Sequence, residues 1–174
     1  MCSSRSWAKL IQTLVQKIGL YTGLAWAGSF VFTMLSLTQP GWGLAGNLLG
    51  VSTIWVAGLQ LRNAQEQPWS LHQRWRKSLS VHALAVLVCT FVQLLYFRFI
   101  DGGTMIESIV QLYQTPEIAD ALRKTMPELD IEQTVSLLSS LTLSELMGQI
   151  LMMNAFLAIL LSIPTTIVAT RRTR

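Results

Sequence analysis

The sequence is poor in charged residues and in the side chains that bind metals. Charged residues make up 13% of its 174 residues, compared with about a quarter in soluble proteins. Cys2 and Cys89 are its two cysteines, one at the N-terminus and one within an apolar stretch, so we expect no disulfide between them. The two histidines, His72 and His82, are ten residues apart and have no Cys/His set around them. The composition therefore argues against a soluble domain, a disulfide framework and a zinc site.

The sequence also lacks the common catalytic motifs. It contains no nucleophile elbow, no phosphate-binding glycine loop, no zincin motif and no paired catalytic carboxylates. An enzyme acting on lipid phosphates would need a cluster of histidines or carboxylates, and we find none in the sequence. We therefore expect a protein that is not an enzyme, with no catalytic residue, no metal and no cofactor.

What the sequence does contain is apolar runs long enough to cross a bilayer. Hydrophobic residues make up 51% of the chain, and a helix needs about 20 of them to cross a hydrocarbon layer of roughly 30 Å. Four runs reach that length, at about residues 18–37, 42–61, 79–100 and 146–170. The first is too long for a signal peptide and has no convincing cleavage site, so we expect it to be retained. The sequence predicts a single membrane domain, an all-α integral membrane four-helix bundle.

The charges are sorted between the segments that flank these runs. The N-terminus, the loop at 60–78 and the C-terminus hold one acid, Glu66, and ten bases: Arg5, Lys9, Lys17, Arg62, Arg74, Arg76, Lys77, Arg171, Arg172 and Arg174. The stretch 98–145 holds eight acids and three bases. Lys/Arg-rich loops stay in the cytoplasm, so we expect both termini there and a multi-pass protein of the bacterial inner membrane. We attribute the net charge of +4 to attraction of anionic lipid on the cytoplasmic face and expect no nucleic-acid partner.

Residues 102–141 are predicted to form a helical extracytoplasmic insert between spans three and four. Thr104 and Glu107 have the spacing of a capping box, as do Thr142 and Glu145 before the fourth span. Thr115-Pro116 combines a preferred N-cap residue with proline at the first helical position, and Asp130 is a further candidate N-cap. These signals predict short capped helices.

Tryptophan beside Arg or Lys at the end of a span is typical of membrane-interface anchors, with the ring at headgroup depth and the charge in water. The residues that fit this role are Trp7, Trp69, Trp75, Arg74, Arg76, Lys77, Arg171 and Arg172. The amphipathic segment that begins at Trp7 either lies on the inner leaflet or continues into the first span.

Small residues recur four apart in the first two spans, which allows helix backbones to pack closely within lipid. The set predicted to pack helices is Gly19, Gly23, Ala27, Gly46, Gly50 and Gly58. We expect spans one and two to pack across their short turn. A seam with a second copy or a partner subunit is the alternative.

Polar residues near the outer end of the spans are the candidate site. Arg98 and Asp101 are three apart and could pair. Alternatively, Arg98 faces headgroup phosphates, while Glu145 and Gln149 supply a counter-charge. We call Arg98, Asp101, Glu145 and Gln149 the outer mouth. Polar residues deeper in the spans are costly in lipid and thus also notable: Asn47, Gln60, His82, Gln93 and Asn154. We expect His82 to lie at the interface and to bond a carbonyl or hydroxyl.

Three stretches of sequence support a family resemblance. They are residues 18–24 (IGLYTGL), residues 75–78 (WRKS) and residues 95–101 (LYFRFID). With the four spans and the insert, they resemble an uncharacterised domain-of-unknown-function family of small four-span bacterial inner-membrane proteins. The resemblance covers about the whole chain, although the cytoplasmic loop here is richer in tryptophan. It implies no catalytic residue. It does imply a polyprenyl-phosphate glycosyltransferase as partner, because the genes of the family tend to lie beside one.

The sequence supports two functional hypotheses. The first is a non-enzymatic accessory or scaffold subunit of a membrane complex, which would bind membrane lipids and either a membrane protein partner or further copies of itself. The alternative is a small oligomeric transporter, a flippase-like carrier for a lipid-linked group. Four spans without an inverted repeat are too few for a monomeric transporter of the usual kind.

Overall fold

The computed structural model describes residues 3–36, 39, 41–65, 68–126, 128 and 130–170, with side chains from Gln12 onwards. Every regular element in these residues is helical, which confirms the all-α prediction. The α-helices are α1 (Ser3–Leu35), α2 (Gly41–Asn63), α3 (Leu71–Tyr96), α4 (Thr104–Gln114), α5 (Pro116–Thr125), α6 (Ile131–Ser139) and α7 (Leu143–Val168). A π-helical turn, Phe97–Asp101, directly follows α3.

Four helices are long and apolar enough to cross a membrane, as predicted. They cover Gln12–Leu35, Gly41–Asn63, Leu71–Asp101 and Leu143–Val168. The third begins before the expected residue 79, because the basic segment ahead of the apolar run is already helical. The amphipathic N-terminal segment continues into the first span, since α1 is unbroken from Ser3 to Leu35. Part of the turn predicted around Pro40 lies outside the described residues.

The chain forms two compact units. The first comprises Met1–Gln93 and Ile150–Arg174, and the second comprises Leu94–Gln149. Within the second unit, α4 packs against α5 and α6. The predicted start of α5 at Pro116 is confirmed, and Asp130 caps α6 by accepting a hydrogen bond from the Gln133 N–H at 3.0 Å.

The capping box predicted at Thr104 and Glu107 is wrong. Helix α4 begins at Thr104 itself and Gly103 is its N-cap residue. A capping box needs its threonine at the N-cap, so Thr104 is one position too late for its hydroxyl to reach the required N–H. The carboxylate of Asp101 supplies the cap instead, by accepting from the Met105 N–H at 3.1 Å.

One end of the four-span bundle brings together the segments that hold the basic residues. Ile18 of α1, Leu61 of α2, Val81 of α3 and Ala169 just after α7 form one buried cluster. Ile18 lies in the first half of the span Gln12–Leu35 and Val81 in the first half of α3, whereas Leu61 and Ala169 lie at the ends of α2 and α7, so the four spans alternate in direction. The described loop residues 64–65 and 68–70 and the C-terminal end of α7 therefore share this end, which we call the basic end.

Two glycines of α1, Gly19 and Gly23, pack against α3. A Cβ added to Gly23 would lie 2.7 Å from the Cβ of Val88, and one added to Gly19 would lie 3.0 Å from the carbonyl oxygen of Val81. Ala27, four residues after Gly23, is also buried. Gly19 and Gly23 thus face the third helix, in addition to the packing of the first two spans that the sequence suggested and that the contacts of α1 with α2 confirm. Sequence spacing shows that a helix has a small-residue face, but not which helix lies against it.

The glycines of α2 pack against two other helices. A Cβ on Gly46 would lie 2.9 Å from the Ser29 carbonyl oxygen, and one on Gly50 would lie 3.2 Å from the Ser29 Oγ, so both face α1. A Cβ on Gly58 would lie 2.6 Å from the Cβ of Val168, at the end of α7. These small residues therefore allow close approach inside the bundle, at the contacts of α1 with α3, of α2 with α1, and of α2 with α7.

Substituting Gly58 should destabilise the bundle. We expect Gly58→Ala to cost about 1–3 kcal/mol, because the new methyl group overlaps Val168. Gly148→Ala is the matched control, since nothing lies within 4 Å of a Cβ there. Thermal unfolding of both variants in detergent measures the difference. Equal melting temperatures for the two variants would contradict the close approach of α2 and α7.

Candidate functional site

Asp101 of the outer mouth holds the turn into α4. Its carboxylate accepts hydrogen bonds from the Gly103 N–H at 3.1 Å, the Met105 N–H at 3.1 Å and the Thr104 hydroxyl at 3.0 Å. The side chain is only 6% exposed. Gly102 and Gly103 complete the turn with φ of 58° and 95°, values that glycine adopts at little cost. Asp101 is therefore occupied in stabilising the backbone.

Arg98 does not pair with Asp101. The two residues lie in the π-helical turn, whose i→i+5 geometry differs from the α-helical spacing on which the expected pair depended. Arg98 is exposed. Within the described residues the salt bridge that forms is Arg123–Asp120, at 3.7 Å, between two exposed side chains of α5.

Glu145 closes the predicted capping box at the start of α7. Its Oε2 accepts from the Thr142 N–H at 2.9 Å and from the Thr142 hydroxyl at 2.7 Å, while the Glu145 N–H donates to the Thr142 Oγ1 at 3.3 Å. Gln149 is exposed. The two carboxylates of the outer mouth thus stabilise helix ends, and the hydrogen bonds and ion pairs of these four residues do not join them into one cluster.

Replacing Asp101 should loosen the turn, whereas replacing Arg98 should not. We expect Asp101→Ala to cost about 1–2 kcal/mol, as for the loss of a helix cap. Arg98→Ala should stay within about 0.5 kcal/mol, as is usual for exposed positions. Thermal unfolding of the full chain in one detergent compares the two. A larger loss from Arg98→Ala would show that the arginine has a partner that matters more than the cap.

Several predicted interface anchors also make contacts at the basic end. The Trp75 Nε1 donates to the Ser162 Oγ of α7 at 3.2 Å, and the Arg74 Nη1 donates to the Thr170 Oγ1 at 2.6 Å. The Lys77 Nζ lies 5.0 Å from the ring centroid of Trp69, a cation–π contact. Arg76 is exposed. The side chain of Trp7, together with Arg171 and Arg172, lies outside the described residues.

Gln65 is a buried residue that sequence reasoning missed. It is 3% exposed although it belongs to a polar loop. Its Nε2 donates to the Ala169 carbonyl oxygen at 2.7 Å, and its Oε1 accepts from the Trp69 N–H at 3.4 Å. Gln65 therefore joins the loop to the carbonyl groups that the end of α7 leaves unpaired. The loop composition contains no signal that singles it out from Gln67.

Helices α3 and α7 are joined by polar side chains. The Ser78 Oγ donates to the Ser162 carbonyl oxygen at 2.9 Å, and the His82 Nε2 lies 3.1 Å from the Thr165 Oγ1. The hydroxyl partner expected for His82 is confirmed. The side chain is fully buried among the helices, and its ring lies 5.5 Å from that of Trp26.

Further along the same pair of helices, two amides meet. The Asn154 Nδ2 of α7 donates to the Gln93 Oε1 at 2.8 Å and to the Thr90 Oγ1 at 3.0 Å, both on α3. Both amides were notable in the sequence as polar residues within spans. Their pairing was not predictable, because it depends on the relative height of α3 and α7.

A cavity of about 270 Å³ lies beside these two amides. Helix α1 contributes residues such as Trp26 and Phe30, α3 contributes Cys89 and Gln93, and α7 contributes Asn154, Leu157 and Leu161. We call it the amide cavity. Its described walls include no Asp, Glu, Lys, Arg or His, and the part of the chain with described side chains has no group of three or more His, Cys, Asp or Glu placed to hold a metal ion. The cavity can therefore offer hydrogen bonds and apolar contacts, but no charge.

Comparison with protein families gives a match over most of the chain. The family whose description is "Protein of unknown function (DUF4199)" matches residues 17–171, which include most of the first candidate span, the other three spans and helices α4–α6. No curated protein and no solved structure matches the chain.

Proposed function

The chain belongs to the DUF4199 family of proteins of unknown function, and on that premise we propose that it is a non-enzymatic accessory or scaffold subunit of a bacterial inner-membrane complex. The four membrane-spanning helices hold it in the bilayer, and the helices α4–α6 meet the partner. A polyprenyl-phosphate glycosyltransferase is the partner that the family resemblance implies.

We propose that the basic end lies in the cytoplasm and that α4–α6 lie on the other side of the membrane. The support is the gathering of the loop at 64–70 and the end of α7 at one end of the bundle. Arg62, Arg74, Arg76 and Lys77 belong to that end. Basic residues beside spans are retained in the cytoplasm during insertion.

The observation that most supports an accessory role is the incomplete burial of α4–α6. These helices are amphipathic, yet none of their residues is fully buried. Leu112 and Leu137 are 51% and 62% exposed, and Met126, just after α5, is 57% exposed. Large apolar side chains left exposed on amphipathic helices would be covered if α4–α6 bound another protein.

The charge of the insert favours a protein over a lipid surface. The stretch 98–145 holds eight acidic and three basic residues. Anionic headgroups would repel such a segment, whereas basic groups around an apolar patch would attract it. We therefore propose that α4–α6 dock onto a membrane protein whose extracytoplasmic surface is apolar with a basic rim.

Cysteine labelling tests the orientation. In a Cys2→Ser background, we expect Gln111→Cys on α4 to react with a membrane-impermeant maleimide in intact spheroplasts. Asn63→Cys at the end of α2 should react only after lysis. Both positions are exposed, and the background chain measures any labelling of the buried Cys89. The opposite pattern would place the basic end outside and would contradict the proposed orientation.

Purification in mild detergent tests the accessory function. We expect the tagged full chain to retain one membrane protein in stoichiometric amount, identified by mass spectrometry. Leu137→Lys on α6 should release it, because a lysine on the apolar patch would face the basic rim. Leu71→Lys at the start of α3 is the matched control, since both leucines are more than 60% exposed.

The two outcomes that contradict the proposal are distinct. A wild-type chain that purifies with no stoichiometric partner contradicts the accessory role itself. A partner that Leu137→Lys and Leu71→Lys retain equally contradicts docking through α4–α6.

A further inference from the structure

We propose that the amide cavity binds the uncharged, hydroxyl-bearing end of a membrane lipid. The inference goes beyond the accessory role, because it concerns the inside of the four-span bundle and is independent of any protein partner. It depends on three observations: the hydrogen-bonding capacity of two amides, the shape and apolar walls of the cavity, and the lack of charge around it.

The two amides each leave one group without a protein partner. Gln93 is only 8% exposed. It accepts at Oε1 from Asn154, and its Nε2 donates to none of the described residues. Asn154 donates twice through Nδ2, and its Oδ1 likewise accepts from none of them. At membrane depth, an amide group without a partner is costly, because the hydrocarbon of the bilayer cannot hydrogen-bond to it.

One hydroxyl group can satisfy both amides. Its oxygen accepts from the Gln93 Nε2, and its hydrogen is donated to the Asn154 Oδ1. The other hydroxyls of the wall are already used, since Ser29 donates to the Gly46 carbonyl oxygen at 2.7 Å and Thr33 donates to the Ser29 carbonyl oxygen at 3.0 Å. Since the donor protons of these two hydroxyls are used, the polar groups of the amide pair that have no partner among the described residues are the Gln93 Nε2 donor and the Asn154 Oδ1 acceptor.

The remaining walls suit a hydrocarbon chain. Trp26, Phe30 and Leu161 are apolar or largely so, and Leu157 is 41% exposed at the surface of the bundle. A chain that passes Leu157 would lead from the cavity into the bilayer. The volume of about 270 Å³ lies just below the range of roughly 300–1,000 Å³ for pockets that enclose a whole small molecule. The cavity therefore holds the polar end and the first part of a chain, while the rest of the lipid stays outside.

The absence of charge in the walls selects against phosphate and carboxylate. Among the described residues, no Lys, Arg or His lines the cavity, so an anionic headgroup would lose its water and gain no opposite charge. A neutral glycerol hydroxyl meets no such penalty. The lipid class that fits is a neutral acylglycerol or a comparable lipid alcohol.

Native mass spectrometry of the delipidated full chain tests the proposal. The probe is 1,2-dioctanoylglycerol, and 1,2-dioctanoylphosphatidate is its anionic counterpart with the same chains. We expect one equivalent of the glycerol lipid to be retained, and the phosphatidate to bind at least about tenfold more weakly because of its unpaired charge. Equal retention of both lipids, or no adduct of dioctanoylglycerol, would overturn the proposal.

Three variants locate the binding. Gln93→Met removes the donor at similar side-chain length and should weaken binding about tenfold, the effect of one buried hydrogen bond. Gln60→Met is the matched control on an exposed face of α2 and should bind as the wild type does. Leu157→Trp keeps both amides and fills the cavity, so it should abolish the adduct.

The comparison remains decisive if one variant does not fold. Circular dichroism and gel filtration report whether each variant folds. If Gln93→Met does not fold, Leu157→Trp by itself tests whether the lipid binds in the amide cavity. Adducts of equal abundance in Leu157→Trp and Gln60→Met would show that the lipid binds elsewhere. Because these measurements involve no partner protein, failure of the accessory role would leave their result unaffected.

Discussion

The four-span bundle depends on one constraint, which is that polar side chains within the membrane must find partners on neighbouring helices because lipid offers none. Helix α7 shows this most clearly, since much of its apolar surface is exposed. It is joined to α3 at several heights, through Ser162 and Thr165 near the basic end and through Asn154 further along. The hydrogen bonds hold α7 where apolar contact with its neighbours is limited.

The glycines stabilise the bundle in a second way, by letting the helix backbones pack closely. Between membrane helices there is little hydrophobic drive, and association relies on close packing and hydrogen bonds. Gly23 allows α1 to reach α3, and Gly58 allows α2 to reach α7. Close backbones also bring short side chains within hydrogen-bonding distance, as where Ser29 reaches the carbonyl oxygen of Gly46. The small residues and the polar pairs thus support one another.

The features that could be predicted from the sequence are those set by local physics. Apolar length determined the number of spans, and the starts of α5 and α6 followed from Thr115-Pro116 and Asp130. The capping box of Thr142 and Glu145 formed because Thr142 directly precedes α7, which begins at Leu143. The box expected at Thr104 did not form, because the π-helical turn and two left-handed glycines place the Asp101 carboxylate where the cap is needed.

Contacts between residues that are far apart in the chain could not be predicted from the sequence. Gln93 and Asn154 are notable as single polar residues in apolar runs. They are 61 residues apart in the chain, however, and their contact depends on the height of α3 relative to α7. The same holds for Gln65, whose partner Ala169 is 104 residues away. The amide cavity is a product of such pairs, so no local pattern predicts it.

Trp26 lines the amide cavity and also contacts residues of α2 and α3. Its indole forms part of the wall of the amide cavity, donates to the Thr53 Oγ1 at 3.0 Å, and lies against the ring of His82, which bonds Thr165. A molecule that fills the cavity would restrict this indole and with it the contacts of α1, α2 and α3. Ligand occupancy and helix association would then be thermodynamically linked. The free energy of unfolding of the bundle would then rise with the neutral-lipid content of the surrounding membrane.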